Sequence, residues 1–170
     1  MQRWILIVVC VFFLVLAVLW QRNPSWEVEH RVEISANRAH VWTLLTDLEN
    51  YPKWNRYSPR VEGTLAVGEV VWVESHLDDE VQHVQNYVLS IKKNKELCWQ
   101  SAGWYGVLVH GKRCRWLDEL APDRTLLRHH EIMSGPLAWL IERLYRERIE
   151  AGIALADNSL AEYAEQVIDQ

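Results

Sequence analysis

The sequence predicts an α+β fold in which a curved antiparallel sheet wraps one long C-terminal helix, behind an N-terminal membrane span. Three observations carry this reading. An amphipathic repeat runs from Leu137 to Ile168, short alternating segments fill the middle of the chain, and an unbroken apolar run covers Trp4 to Trp20.

In the C-terminal repeat, Leu137, Ile141, Leu144, Tyr145, Ile149, Ile153, Ala156, Leu160, Tyr163, Ala164 and Val167 recur every three or four residues, which gathers them on one helix face. Glu142, Arg143, Arg146, Glu147, Glu150, Asp157 and Glu162 are assigned to the opposite, solvated face. Gly135-Pro136 stands where a first helical turn accepts proline. A coiled-coil arm would share the period, but Gly152 with Ala151, Ala154 and Ala156 suits close packing on a sheet better than a heptad seam.

The apolar run from Trp4 to Trp20 would span roughly 26 Å as a helix, the short end of a bilayer core. Trp4 and Trp20 close it like an aromatic belt, with Arg3 and Arg22 outside. A secretory signal would have the same apolar centre, but Ala17 is followed by Val18, Leu19, Trp20 and Gln21 rather than by a small-residue cleavage site. The run therefore reads as a single-pass membrane anchor over residues 1–22. The basic residues divide evenly between its two ends, so they do not choose an orientation.

Residues 26–170 then make one domain of about 145 residues, near the commonest domain size. Trp26, Val28, Val32 and Ile34 alternate as a first strand. Asn37 can cap a helix whose apolar positions are Ala39, Val41, Trp42, Leu44, Leu45 and Leu48. Tyr51-Pro52-Lys53-Trp54-Asn55 breaks it into a turn or short second helix. Strands follow at 61–64, 70–77, 84–92, 96–101, 107–120 and 125–134, punctuated by Asn94, by Gly103 and Gly106, and by Pro122-Asp123. One strand, short helices, six consecutive antiparallel strands and a long helix make a helix-grip arrangement.

Composition excludes several functions. The chain has a net charge of −5 and no basic run, which disfavours tracking of nucleic-acid phosphates. No Cys/His spacing suits zinc, so no metal is expected. No P-loop, Rossmann, HExxH or GxSxG pattern occurs, so no cofactor is expected and serine-hydrolase chemistry has no support. The ten tryptophans suit a lined cavity or an interface as well as a solid core.

Val41-Trp42-Thr43-Leu44-Leu45-Thr46-Asp47-Leu48, then Tyr51-Pro52-Lys53-Trp54-Asn55, then Val61-Glu62-Gly63 and Val67-Gly68 resemble the opening of the START-like, or SRPBCC, superfamily in its polyketide cyclase/dehydrase and lipid-transport branch. Leu97-Cys98-Trp99, His129-x-Glu131-x-x-Ser134-Gly135 and Asn158-x-Leu160-x-x-x-Ala164-Glu165 continue the resemblance to the end of the chain. It implies an elongated apolar cavity between sheet and terminal helix, which members use for lipids, sterols, polyketides and other hydrophobic molecules. Some members catalyse cyclisation or hydrolysis and many only bind or carry, so the fold does not decide the activity.

Candidate ligand-binding residues follow from the strand faces. On the last strand Thr125, Leu127, His129, Glu131 and Met133 share one face, and matching Met133 to the family's inward aromatic position sends His129 and Glu131 toward the cavity. On the preceding strand the family spacing turns Gly111, Arg113, Arg115 and Leu117 inward, whereas hydrophobicity alone selects Cys114, Trp116 and Leu120. Leu97 and Trp99 share a face, and Trp99 with Tyr87, Leu89 and Ile91 is expected to line the pocket. A buried arginine needs a partner, and a surplus one would favour an anionic head group.

Three readings follow. The first is a membrane-anchored binding or carrier domain for a hydrophobic small molecule such as a lipid, isoprenoid or polyketide-like compound. The second is a cyclase or dehydratase using His129, Glu131 and Arg113 for proton transfer, and the third is an interaction module with a solid core. Cys98 and Cys114 stand equally far from a turn near Gly106 and so fall opposite each other. Because cross-strand disulfides strain the required geometry, free thiols are expected there.

Overall fold

The computed structural model describes residues 2–77, 80–102 and 105–168. Helix α1 (Gln2–Arg22) is followed by strand β1 (Ser25–Ile34), helix α2 (Arg38–Thr46), a 3-10 turn (Leu48–Asn50) and the one-turn helix α3 (Tyr51–Trp54). Strands β2 (Arg60–Gly63), β3 (Val70–Leu77), β4 (Glu80–Lys92) and β5 (Glu96–Ser101) lead to the short helix α4 (Tyr105–Leu108). Strands β6 (His110–Ala121) and β7 (Arg124–Ser134) and the long helix α5 (Ala138–Ile168) complete the chain. The seven strands form one antiparallel sheet in the order β1-β7-β6-β5-β4-β3-β2, so the first strand closes against the last.

Helix α1 is long and apolar enough to cross a membrane by length and composition, and none of its described side chains is buried. Helix α2 starts where the sequence offers a cap, with Asn37 Oδ1 accepting the His40 N–H at 2.9 Å. Tyr51 then folds α3 back on α2 by donating its hydroxyl to the Leu45 carbonyl at 2.8 Å.

Helix α5 lies on the inner face of the sheet and splits the interior into layers. At one end Ile34, Leu117, Leu127, Leu160 and Ala164 pack with Val41, Leu45, Trp54 and Trp99. At the other end Trp26, Val28, Ala138, Ile149 and Ile153 form a second apolar cluster, with Met133, Ile141 and Tyr145 against it. Between them β1, β6, β7 and α5 all present polar residues at one level: His30, Arg113 and Arg115, His129 and Glu131, and Asp157. Period-two alternation on three strands, in register with the helix, produces this polar layer.

Two assignments on α5 are corrected. Leu144 is 56% exposed, on the solvent side, and Asp157 is 1% exposed, inside. Ile153 and Leu160 both face the sheet, and a residue four after one and three before the other must share that face.

The cysteine expectation is also corrected. Cys98 and Cys114 are a directly opposed pair of β5 and β6, as their spacing implies, but they form a disulfide rather than free thiols. Their Cα atoms are 4.2 Å apart, at the close spacing of facing residues on antiparallel strands, which brings the sulfurs within bonding reach.

Candidate functional site

The polar layer is the candidate site. The inward register of β6 is that of the family spacing: Arg113 and Arg115 point into the fold, while the opposite face carries Cys114 and Trp116. Across the β6–β7 pair Arg113 faces Glu131, Arg115 faces His129 and Leu117 faces Leu127. Hydrophobicity misleads on β6 because the outer-face residues are covered as well: Cys114 lies in the disulfide, and Trp116 donates to Glu96 at 3.2 Å and lies under Arg128.

Arg113 holds Glu131 through Nε at 2.8 Å and Nη2 at 2.6 Å. Burial works against the Arg113 charge, but the Glu131 carboxylate more than offsets it and holds the guanidinium protonated. Its outer plane is covered by the Tyr57 ring at 5.9 Å, and burial raises the Tyr57 phenol above its ordinary pKa. Tyr57 rests in turn on Gly152 of α5, where any Cβ would overlap its ring.

His129 is fully buried and bonds through Nδ1 to both oxygens of Asp157, at 2.8 and 3.0 Å. Asp157 Oδ2 also bonds His30 Nδ1 at 3.0 Å, and Arg115 Nε stands 4.0 Å from Oδ1. Burial pushes His129 down to about 4, so it is neutral near pH 7. Burial also opposes ionisation of Asp157, but the charge and hydrogen bond of His129, the hydrogen bond of His30 and the charge of Arg115 keep its carboxyl below the usual range. The hydrogen bond to Asp157 raises His30 against the lowering effect of its partial burial.

A neutral His129 beside a carboxylate carries its proton on Nδ1, which leaves Nε2 as an acceptor. Nε2 has no hydrogen-bond partner among the described residues, and neither does Arg115 Nε, although both are buried. The Arg115 guanidinium stacks on Trp99 at 5.5 Å. Counted together, Arg113 and Arg115 balance Glu131 and Asp157, and His30 at the partly exposed edge of the layer adds a further cation when protonated. His30 is partly exposed and lies in a groove of about 470 Å³ between β1 and α5, with Val28, Arg146, Glu150 and Ala154.

Of the six residues singled out from sequence, the structure gathers Trp99, Arg113, His129 and Glu131 on the inner face. Tyr87 and Leu89 are corrected: they are 44% and 37% exposed, on the outer face. The cause is a bulge between Val88 and Ser90. One extra residue inverts the alternation, so Val88 and Asn86 face inward on one side of it and Ile91 on the other. Sequence reasoning missed Asp157, His30 and Tyr57 as members of the site. No group of three or more His, Cys, Asp or Glu placed to hold a metal ion occurs among the described residues.

No protein-family model matches the chain. The search of curated proteins gives no match either. Among solved structures, the fold is similar to norcoclaurine synthase of Thalictrum flavum in complex with dopamine and hydroxybenzaldehyde, with TM-score 0.65 and 11% identity over 90% of this chain and 92% of that one. It is similar to the ZhuI aromatase/cyclase of Streptomyces sp. R1128, with TM-score 0.68 and 16% identity over 85% of this chain and 96% of that one. It also matches the di-domain aromatase/cyclase StfQ of the steffimycin biosynthetic pathway, with TM-score 0.69 and 9% identity over 88% of this chain and 53% of that one. The likenesses establish the helix-grip fold.

Proposed function

We propose that the chain is a membrane-tethered binding or carrier domain of the START-like superfamily for a hydrophobic small molecule with an uncharged, hydroxyl-type polar end. Residues 1–22 serve as the single-pass anchor and residues 26–170 as the binding domain.

The observation that carries this reading is the pair of unpartnered atoms in the polar layer. Arg115 Nε is a donor and His129 Nε2 an acceptor, on side chains that face each other across β6 and β7. A buried polar group left unpaired costs about 1–3 kcal/mol, and Arg115 Nε and His129 Nε2 stand on opposed residues of one layer, unlike the unpartnered His40 Nε2, Trp54 Nε1 and Asn55 Nδ2. A hydroxyl that accepts from Arg115 and donates to His129 satisfies both. Each buried arginine is matched by a carboxylate, which favours this neutral end over the anionic head group that a surplus arginine would select. An apolar body covering roughly 200 Å² contributes on the order of 5 kcal/mol before ordering costs. Tyr57, seated on Gly152 and held by side-chain contacts with Arg113 and Ser75, covers the layer on the α5 side. The enzymes sharing the fold support a hydrophobic ligand-binding or cyclase-type function.

A second reading, a cyclase-type enzyme, is favoured by the His129–Asp157 pair. An imidazole with Nδ1 held by a carboxylate and Nε2 open is arranged as a general base, and His30 links that carboxylate to the β1–α5 groove. A pKa of about 4 makes His129 a weak base near pH 7, which ranks this reading second.

The test is organic extraction and mass spectrometry of the full chain purified in mild detergent. The expected result is a hydroxylated lipophile in stoichiometric amount, lost from a variant carrying Arg115→Met and His129→Leu. If the unmodified chain holds no molecule and added lipophiles leave its tryptophan emission unchanged, an interaction module with a packed core stands instead.

A further inference from the structure

We propose that the end of the domain beside the anchor is a bilayer-docking surface, formed by Trp139 and Val107, which seats the fold on the lipid headgroups. This rests on the reading of α1 as a membrane span.

The geometry starts at Gly135, whose N–H donates to the Pro24 carbonyl at 3.1 Å. Helix α1 ends at Arg22, and two Cα steps of about 3.8 Å lead to Pro24. Gly135 therefore lies close to the end of the span whatever angle α1 takes. It also has φ +126°, and a Cβ there would overlap the Leu108 carbonyl, so α4 packs directly on it. The Leu137 N–H donates to the same Leu108 carbonyl at 3.1 Å. The departing span, α4 and the start of α5 thus meet at one point.

The two elements that meet there each carry an exposed apolar side chain, Val107 on α4 and Trp139 in the first turn of α5. Val107 is 52% exposed and Trp139 47% exposed. Trp139 is four residues beyond Gly135, about 6 Å at the helical rise. The headgroup layer is of similar depth, roughly 5–7 Å on each side of the hydrocarbon, and indole rings concentrate there. Arg143 is exposed one turn after Trp139 on the same helix face, where its guanidinium can meet lipid phosphates. A bilayer is the occupant because the chain's own anchor brings one to this surface, whereas the exposed Trp72 on the outer face of β3 has no such tie. The cluster of Trp26, Val28, Ile149 and Ile153 lies directly behind this surface, with Trp26 Nε1 donating to the Ala138 carbonyl at 3.0 Å. Docking would set that end of the interior against the source of a lipophilic ligand.

The experiment uses the full chain reconstituted in phosphatidylcholine vesicles, with Trp139→Phe and Trp72→Phe variants whose difference spectra isolate each indole. The Trp139 component should be quenched by lipids brominated on the acyl chain near the headgroup and shielded from acrylamide, and the Trp72 component should behave in the opposite way. Equal acrylamide access at the two positions, with no bromolipid quenching of Trp139, would overturn the proposal. Alkaline carbonate extraction separates the two levels of the argument. Release of the chain by carbonate would remove the anchor reading and the docking surface together, while retention with a solvent-accessible Trp139 would remove the docking surface alone.

Discussion

Arg113 and Glu131 are a directly opposed cross-strand pair on the inner face of the sheet, joined at 2.6 Å, with the buried Arg115 and His129 as the next opposed pair along the same strands. Removing the charge of one member leaves the other buried with a weakened partner. Glu131→Gln should lower stability by about 1–3 kcal/mol and weaken retention of any co-purified ligand. His130→Gln is the control. His130 is on the outer face, paired with Glu27 at 3.0 Å, and its loss should change stability by no more than about 0.5 kcal/mol. Urea unfolding of both variants checks the contrast, and equal losses would mean that the inner pair has no special weight.

The buried His129 makes stability depend on pH with a definite sign. Its pKa is about 4 in the fold against an ordinary 6.5, so between these values the unfolded chain binds a proton that the folded chain does not. Stability should rise with pH across that window, by at most about 1.4 kcal/mol per pH unit from this group. His30 acts in the opposite direction at higher pH: its raised pKa stabilises fully below 6.5, and this is lost as pH rises through the folded value. Unfolding midpoints measured from pH 4 to 8 should therefore climb through the acid range, and His129→Asn should flatten that limb. A curve that falls between pH 4 and 6.5 would contradict a neutral buried His129.

Gly152 is the seat of the Tyr57 ring. Alanine there would gain up to about 1 kcal/mol of helix propensity, yet its Cβ would overlap the ring. Gly152→Ala should lose about 1–3 kcal/mol net through overpacking, and a second substitution, Tyr57→Ala, should recover part of that loss. Additive losses in the double variant would show that the two residues do not share a contact.

The Cys98–Cys114 bond closes a loop with a sequence separation of 16. Thiol counting under denaturing, non-reducing conditions should find only Cys10 reactive, and replacing both cysteines by serine should cost about 3 kcal/mol by the loop-closure estimate. Reaction of all three cysteines would restore the expectation of free thiols.

The sequence specified the elements and half of the site because both follow from local periodicity. Strand faces on β7 follow from alternation, but the turn at Pro122-Asp123 brings Arg113 opposite Glu131 only together with a bulge between Glu119 and Ala121, without which Arg113 would face Ile132. The rest depended on non-local facts. A bulge at Leu89 leaves no strong signature among the apolar residues of β4, so parity carried across it gave the wrong face for Tyr87 and Leu89. Asp157 occupies a sheet-facing helix position, but its charge argued for solvent until its partners were known. Those partners, His129 and His30, are 28 and 127 residues away, beyond any repeat. Tyr57 enters the layer from a loop, where no period exists to predict its direction.

The polar layer also governs which strand alignment is allowed. A slip of two residues between β6 and β7 keeps every side chain on its proper face, so hydrophobic burial alone would hardly oppose it. In one direction the slip sets Arg115 against Leu127 and Arg113 against His129; in the other it sets Arg113 against Met133 and Leu117 against His129. Either error strands a buried guanidinium away from its carboxylate or an imidazole among aliphatic chains, which costs several kcal/mol. The charged belt across the interior therefore works as a registration key: the apolar ends drive collapse, and the belt admits one pairing of the strands.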